Sequence, residues 1–464
     1  MFQVAARRRS DNDQLRFADH PSIVSKIKGD IHLHNDRLAT SSAIAPGKLE
    51  TWIPALAGTA MLIGFVSPRA TPGLLALMTV PAILAMAIAG RLERPLRPGM
   101  LEAWMGALGI YLIINAAWSV DKGEAYGKVA FYFLILVVMS LAATAFKLLE
   151  DETLVRLRRA IALVVIVGAV FLSIESVFEQ PIKRFITSVL PMLRPPKKHI
   201  EVDDGWVKEI GLYVLNRNIA MLSLALWPAF LLMRDTFAPR TARIAVCVVF
   251  ALTAAAVFRS EHETSMIGLV VASITFAGMK LTPKIMRALL IAGWVVATVL
   301  VVPIAAASYS AQLYKAQWIP KTGRNRIVLW GVTAAKVREA PLLGIGVKST
   351  KPLDLEASAK AAWPKDHPYP LRTGRHSHNV YMQTWYELGA IGAAFLLGIG
   401  LLVMNFFARQ SQDVQPYLFA SFASTAILGA LSWGLWQPWF MAAFAMWGVL
   451  VLMVVETQRA KRVP

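Results

Sequence analysis

The stretch RHSHNVYMQTWYELGAIG, residues 375–392, gathers two histidines, an amide and a carboxylate and runs directly into a hydrophobic segment. Polar groups at the mouth of an apolar helix cost free energy to place there, and they mark a site where something polar meets the membrane. Imidazole is the side chain that titrates nearest neutrality, so His378 is the candidate general base. Asn379 would orient it or an acceptor. The plainer reading makes His378 a loop residue capping the helix that starts at 379. His376 reads as an auxiliary, binding or structural, group. Glu387 follows His378 by nine residues, which on a regular helix turns it to the opposite face, where it is expected to pair with an arginine. Gly389 and Gly392 are expected to break the span or let another helix approach closely. Tyr381 and Trp385 share a face; they could stack on a sugar, but interfacial aromatic packing is the favoured reading.

Arginines supply the complementary chemistry. The segment GRNRIVLW, residues 323–330, leads a helix through Glu339, which Pro341 and the turn PLLGIG end. Arg326 and Trp330 are four apart and share one helix face, whereas Arg324 need not point with Arg326. Arg217 and Arg259 lie at predicted helix ends. A guanidinium can hold an anionic oxygen cluster bidentately without a metal. The alternative is that these arginines snorkel to lipid phosphates or cap helices.

The rest of the chain must position these groups, and its composition says in what medium. Of 464 residues, 56% are hydrophobic and 17% charged. A soluble domain has about 25% charged residues, so this is an integral membrane protein. Apolar runs of spanning length occur near 51–67, 72–90, 100–119, 126–146, 160–178, 213–233, 243–259, 265–280, 286–307, 380–408, 416–435 and 437–456. The expected fold is therefore all-α and polytopic, with about twelve transmembrane helices. Lys+Arg number 48 against 29 Asp+Glu, a formal charge of +19. Most of that excess sits in short connections and tails, which excludes a nucleic-acid partner and fits topology signals and contact with membrane lipids. Arg91, Arg94, Arg97, Lys147, Arg156, Arg234, Arg240, Lys280 and Lys284 lie in connections on one side, with both termini. The positive-inside rule makes that side cytoplasmic. Residues 1–48 and 457–464 are then cytoplasmic tails flanking a membrane domain over 49–456. No apolar core follows the first basic cluster, so no cleavable signal is expected. His32 and His34 in the N-terminal tail read as solvated rather than metal-binding.

Two long connections, about 179–212 and 310–378, fall on the outer side. Their Trp, Tyr, Pro and charge suggest a folded helical cap rather than disorder. Outside the cytoplasm ATP is not a donor, and the chain has no Walker-type motif and no His-Glu-x-x-His. Glu201, Asp203 and Asp204 come nearest to an acidic cluster and read as an exposed turn. The lone cysteine, Cys247, permits neither an internal disulfide nor a thiolate metal site. No cofactor or metal is expected. A reaction there needs a donor that arrives activated, such as a sugar linked to a lipid pyrophosphate.

At this point the chain resembles the O-antigen ligase/O-antigen polymerase superfamily of bacterial membrane glycosyltransferases. Ser377-His378-Asn379 with YELGAIG at 386–392 fits the ligase pattern His-(Asn/Ser/Gln)-x9-Gly-x-x-Gly at each fixed position. Arg326-x-x-x-Trp330 with the following PLLGIG resembles the segment before that histidine. WSVD at 118–121 resembles the early Trp-Ser signature, and Asn216-Arg217-Asn218 the basic-Asn pair. One departure is FRSEHETS at 258–265, where the arginine precedes the serine; either Arg259 or His262 would replace the usual Ser-Arg pair. The resemblance implies a GT-C-type architecture with a periplasmic cap, in the bacterial inner membrane. It implies transfer of a glycan from undecaprenyl pyrophosphate to a lipid A-core acceptor, with inversion and without metal. His378, Asn379 and Arg326 would then be catalytic. Arg259, Arg217, Arg324, His376, Glu387, Gly389 and Gly392 would bind substrate. A polymerase that adds the glycan to another lipid-linked chain is the closest rival. A transporter or flippase is the rival of a different class; absence of a visible internal repeat and of mid-span charge speaks against it.

Overall fold

The structure is a computed structural model that describes residues 46–92, 99–360 and 367–460. The expectations for the tails, including His32 and His34, lie outside the described residues apart from 46–48 and 457–460. Among the described residues the chain is predominantly helical, with one two-stranded hairpin. The membrane part comprises α1 (Pro46–Val66), α2 (Thr71–Ile88), α3 (Met100–Ala116), α4 (Lys122–Leu148) and α5 (Asp151–Val177). The short α6 (Pro181–Val189) and a hairpin of β1 (Ile200–Asp203) and β2 (Trp206–Ile210) follow. Then come α7 (Asn216–Thr236), α8 (Pro239–Arg259), α9 (Glu263–Leu281), α10 (Pro283–Val299) and α11 (Val301–Ser310). Helices α12 (Lys321–Val337) and α13 (Thr350–Lys360) occupy the second long connection. The chain closes with α14 (Val380–Ala408), α15 (Gln415–Leu431) and α16 (Pro438–Ala460).

Every one of the twelve apolar runs is helical. Nine helices among the described residues are long and apolar enough to cross a membrane, and the α10–α11 pair, bent by 69°, makes a tenth. Helices α3 and α15 have 17 residues each, about 25 Å at 1.5 Å per residue, the lower limit for a span. Both runs leave the helix early, at 117–120 and 432–435, where the chain hydrogen-bonds to the 344–347 turn and to His378. The β-hairpin is a departure from the expected helical cap: Glu201, Val202 and Asp203 pair antiparallel with Glu209, Val207 and Trp206, and the exposed acidic turn read at Asp203 and Asp204 is its tip.

Helix α7 is the hub. It is buried on almost every side, from Asn218 to Met233, and packs on α1, α5, α8, α15 and α16. Peripheral helices instead turn Leu134, Val137, Leu163, Ile274 and Leu289 outward, the surface expected against acyl chains. Asn218 donates from Nδ2 to the carbonyls of Phe65 (2.6 Å) and Val66 (2.9 Å), satisfying the free end of α1.

A second assembly positions the histidine stretch. Gly389 has φ 64° and ψ −163°, so α14 is broken there. A β-carbon at Gly389 would stand 2.2 Å from the Leu342 carbonyl oxygen, and one at Gly344 would stand 2.4 Å from the Glu387 backbone. Only glycine admits this approach. The turn 341–346 uses the freed backbone groups: Ile345 N–H donates to Tyr386 O, Gly346 N–H to Glu387 O (both 3.0 Å), and Ala390 N–H to Pro341 O (2.9 Å). The expected span break is thus a docking seam for PLLGIG. One face of α3 and its C-terminal turn holds the seam from the other side. Tyr111 donates to Leu388 O, Asn115 donates to Leu343 O and accepts from Val347 N–H, and Ser119 donates to Val347 O, each at 2.7 Å.

Candidate active site

The residues before α14 converge on the connection between α15 and α16, the sequence SWGLWQ at 432–437. His378 donates from Nδ1 to the Ser432 carbonyl at 2.7 Å. A carbonyl only accepts, so the neutral ring carries its proton on Nδ1 and leaves Nε2 with a free lone pair. The backbone of His378 is left-handed, φ 50°, which costs roughly 1 kcal/mol or more for a non-glycine residue. The next residue secures it: Asn379 caps α14, its Oδ1 accepting from Met382 N–H at 2.9 Å. Loss of such a cap costs about 1 kcal/mol. The amide oxygen is therefore occupied by the helix end and not by the imidazole it was expected to orient.

His376 lies against His378, ring centroids 4.1 Å apart, with its Nδ1 buried and without a partner. His262, at the start of α9, completes a trio. It is 6% exposed, contacts Ser265 Oγ at 2.7 Å through Nδ1, and stacks on Trp433 at 4.9 Å. Its Nε2 is 3.5 Å from Ser432 Oγ, so His262 and His378 meet the same residue from two sides.

Arg326, on α12, is the cation of this group. Burial lowers its pKa, opposed by Glu263, yet a guanidinium stays charged. All three histidines are held below the ordinary imidazole value. Burial is the main cause each time, and the Arg326 charge adds to it. His262 and His376 are pushed down to about 3. For His378 the Ser432 carbonyl opposes the shift. The trio is neutral near pH 7, beside the fixed charge of Arg326, and the Lys348 charge also acts on His376. Trp330, one turn along α12, donates from Nε1 to Ser377 O at 2.7 Å and ties the arginine helix to the histidine loop.

The remaining expected site residues lie elsewhere. Arg217 sits over the Trp439 ring at 5.3 Å, and Trp439 packs on Trp433 at 4.7 Å. Two tryptophans therefore stand between Arg217 and His262. The Nε atoms of Arg217 and Arg324 are buried and unpartnered. Native structures seldom leave such donors unpaired without a functional reason. Arg259 is half-exposed and 3.8 Å from Glu179 in the first outer connection. Glu387 was expected to meet an arginine and does not. It is 1% exposed and accepts from Lys348 N–H, Thr350 N–H, Thr350 Oγ1, Trp436 Nε1 and Gln383 Nε2. Five donors compensate its burial without a cation, and it anchors the start of α13 to α14. Tyr381 donates to Ala426 O and Trp385 to Thr298 O; both are packing residues, as the plainer reading had it. Gly392 lies on α14 beyond the break, against Leu388 of its own helix.

The α15–α16 connection was read as span and is the part of the site that sequence reasoning missed. Ser432, Gly434 and Trp436 touch the histidine stretch or Glu387, and Trp433 stacks on His262. Its signal was present: glycine, proline, glutamine and three tryptophans within 433–439 suit a re-entrant turn better than a lipid-facing helix.

Residues 248–397 match the family described as O-Antigen ligase. The match runs from α8 through the break in α14 and takes in His262, Arg326, His376, His378, Gly389 and Gly392. Over this stretch the chain is similar to the O-antigen ligase family. Curated relatives agree. A Rickettsia felis protein named "Putative polysaccharide ligase" is 27% identical over 276 residues, covering 58% of this chain and 64% of that protein. Proteins of the same name from Rickettsia conorii and Rickettsia bellii are 26% and 27% identical, each covering 52% of this chain and 58% of the relative. The chain therefore spans less than two thirds of the relatives it matches.

Proposed function

We propose that the protein is a glycosyltransferase of the O-antigen ligase type, which transfers a glycan from undecaprenyl pyrophosphate to a lipid A-core acceptor at the periplasmic face of the inner membrane. The observation that carries this reading is the His378–Ser432 bond. It fixes a neutral imidazole with a free Nε2 beside the cation of Arg326. An acceptor hydroxyl attacks the anomeric carbon, its proton passes to Nε2 of His378, and the bond from that carbon to the pyrophosphate oxygen breaks. The electron pair leaves on the pyrophosphate, where Arg326 neutralises the developing charge. Direct displacement inverts the anomeric centre. No protonated group is needed for the leaving group, which suits a trio of histidines held neutral.

In this reading Arg217, at the start of α7, and Arg259, at the end of α8, bind phosphates outside the histidine group. In this reading Arg324 and His376, whose Nε and Nδ1 are buried without a partner, contact the donor. Gly389 and Gly392 act through the backbone, and Asn379 by holding the loop. Glu387 acts in this reading as a strut for the cap, not as a ligand. The relatives' printed name, polysaccharide ligase, supports the same class of reaction.

The deciding experiment reconstitutes the purified protein with a lipid-linked glycan. Transfer to lipid A-core but not to a second lipid-linked glycan is expected. Transfer only to the second lipid-linked glycan makes the protein a polymerase. Movement of the glycan lipid across the bilayer without transfer makes it a transporter.

A further inference from the structure

The first outer connection holds a helix that is built inside out for water. In α6, Ile182, Phe185, Ile186 and Val189 fall on one face at helical spacing, and all four are exposed. The opposite face is turned into the protein. Arg184 donates from Nη1 to Lys208 O at 2.9 Å, Ser188 Oγ accepts from Val207 N–H at 2.8 Å, and the carbonyl of Thr187 accepts from Arg194 Nε at 2.9 Å. A helix in water packs its apolar face inward and shows its polar face. Here the polar face meets the β-hairpin and, among the described residues, the apolar face has no protein cover.

Its position says what covers it. Span α5 ends at Val177 and α6 begins at Pro181. The turn between them is sharp, with Glu179 and Gln180 both left-handed. Glu175, in the last turn of α5, accepts from Ile182 N–H at 2.9 Å, so the start of α6 is tied to the end of the span. Val177 and Phe178 are exposed apolar residues directly before it, and Leu190, Met192 and Leu193 are exposed directly after it. Exposed apolar side chains therefore run from the end of α5 across α6, interrupted only at the turn by Glu179 and Gln180. A basic group, Lys197 and Lys198, follows and is exposed.

We propose that α6 and the adjoining Leu190–Leu193 lie in the bilayer interface on the side of the histidine site. Their apolar residues sit among the upper acyl chains, and Lys197 and Lys198 sit at the lipid phosphates. Amphipathic helices of this kind bury their apolar face to the headgroup boundary and gain from basic neighbours on anionic lipid. The helix thus floats the β-hairpin at the membrane surface and sets the height of the first outer connection. This holds whatever reaction the protein performs.

The test uses the full chain in nanodiscs of phosphatidylethanolamine and phosphatidylglycerol, with Cys247→Ser as background. Single cysteines replacing Phe185, Val189, Arg184 or Ser188 carry an environment-sensitive fluorophore. Phospholipids brominated high on the acyl chain should quench the label at 185 and 189 several-fold more than at 184 and 188. Equal quenching on both faces overturns the proposal. So does a label at 185 that is shielded from lipid and water alike and is released on dilution into excess lipid, because the cover is then a second copy of the chain. The unaltered protein gives an independent reading. A photoactivatable phospholipid should leave its adducts between residues 182 and 193, and adducts absent from that segment while present on the spans overturn the proposal equally.

Discussion

The Nδ1 of His378 and the carbonyl of Ser432 are 2.7 Å apart, across 54 residues of sequence and two helices. That one bond sets which ring nitrogen can act. Asn379 caps α14 independently of it, so removing the ring leaves the start of the helix held. His378→Ala should insert and fold but lose transfer by about 10²–10⁴-fold, the usual effect of deleting a general base. Burial, first, and the Arg326 charge hold the imidazole below its ordinary 6.5, so the neutral, active form persists to lower pH. Single-turnover transfer should fall on an acid limb whose midpoint lies below 6.5. That limb should be missing from the residual rate of His378→Ala. A variant with most of its activity, or with the limb intact, removes His378 as the base.

Arg326 is predicted to act through shape as well as charge. Arg326→Lys keeps the cation and loses the planar fork, so it should still impair transfer, and Arg326→Ala should impair it further. The same substitution removes a positive charge from three neighbouring imidazoles. The acid limb of the alanine variant should therefore move up in pH. Wild-type rates in both well-folded variants would separate this arginine from the donor.

Much of this was legible in the sequence, for a reason that can be named residue by residue. Apolar runs bounded by arginines and lysines announce spans because lipid imposes one requirement on every residue. The spacing of His378 to Gly389 and Gly392 was legible because a short motif reports one local structure, the broken helix start of α14. What was not legible is what depends on chain segments meeting over long separations. Nothing in Glu387 says that Thr350 and Trp436 will supply its donors, so a pairing with arginine was the natural guess. Nothing in Ser432 says that it will face His378, since its neighbours read as the end of an apolar run. The Trp-Ser pair was noticed as a signature. Its work, holding the turn at 344–347 against α14, became visible only with the partner present.

Glu387 should accordingly be a stability residue. Glu387→Ala strands donors from Lys348, Thr350, Gln383 and Trp436 in the interior. Each stranded donor costs roughly 1–3 kcal/mol, so the loss should exceed about 3 kcal/mol. Thermal unfolding followed by tryptophan fluorescence should show a large drop in Tm. Glu387→Gln keeps acceptor capacity and should lose less. A catalytic or ligand-binding role would instead leave Tm unchanged and abolish transfer.

Orientation follows from the basic connections, and labelling checks it. In a Cys247→Ala background, cysteines replacing Lys198 and Ala357, both exposed, should react with an impermeant thiol reagent in cells whose outer membrane is made permeable. A cysteine replacing Lys284, also exposed, should react only after lysis. The reverse pattern inverts the topology. A mixed pattern, with Lys198 and Ala357 on opposite sides, would mean that one of the helices from α7 to α11 does not cross.

The buried histidines also set the pH range of stability, and the sign follows from their shift. His262 is held at about 3 in the fold, by burial first and by Arg326 second, whereas in the unfolded chain it titrates near 6.5. Between those values the unfolded chain binds the proton and the native chain does not. Stability therefore is full above pH 6.5 and falls as pH drops toward 3. At about pH 5 the loss from this one group is roughly 2 kcal/mol, at 1.36 kcal/mol per pKa unit. His262→Gln has nothing to protonate. It should be less stable than wild type near pH 7.5, where the contacts with Ser265 and Trp433 are lost. It should nevertheless lose less Tm than wild type between about pH 7.5 and about pH 5. Other titrating groups are common to both proteins and cancel in that difference. Parallel Tm curves over the range would mean that His262 is protonated, or solvated, in the native state, and the stacked, neutral ring beneath His378 would have to be given up.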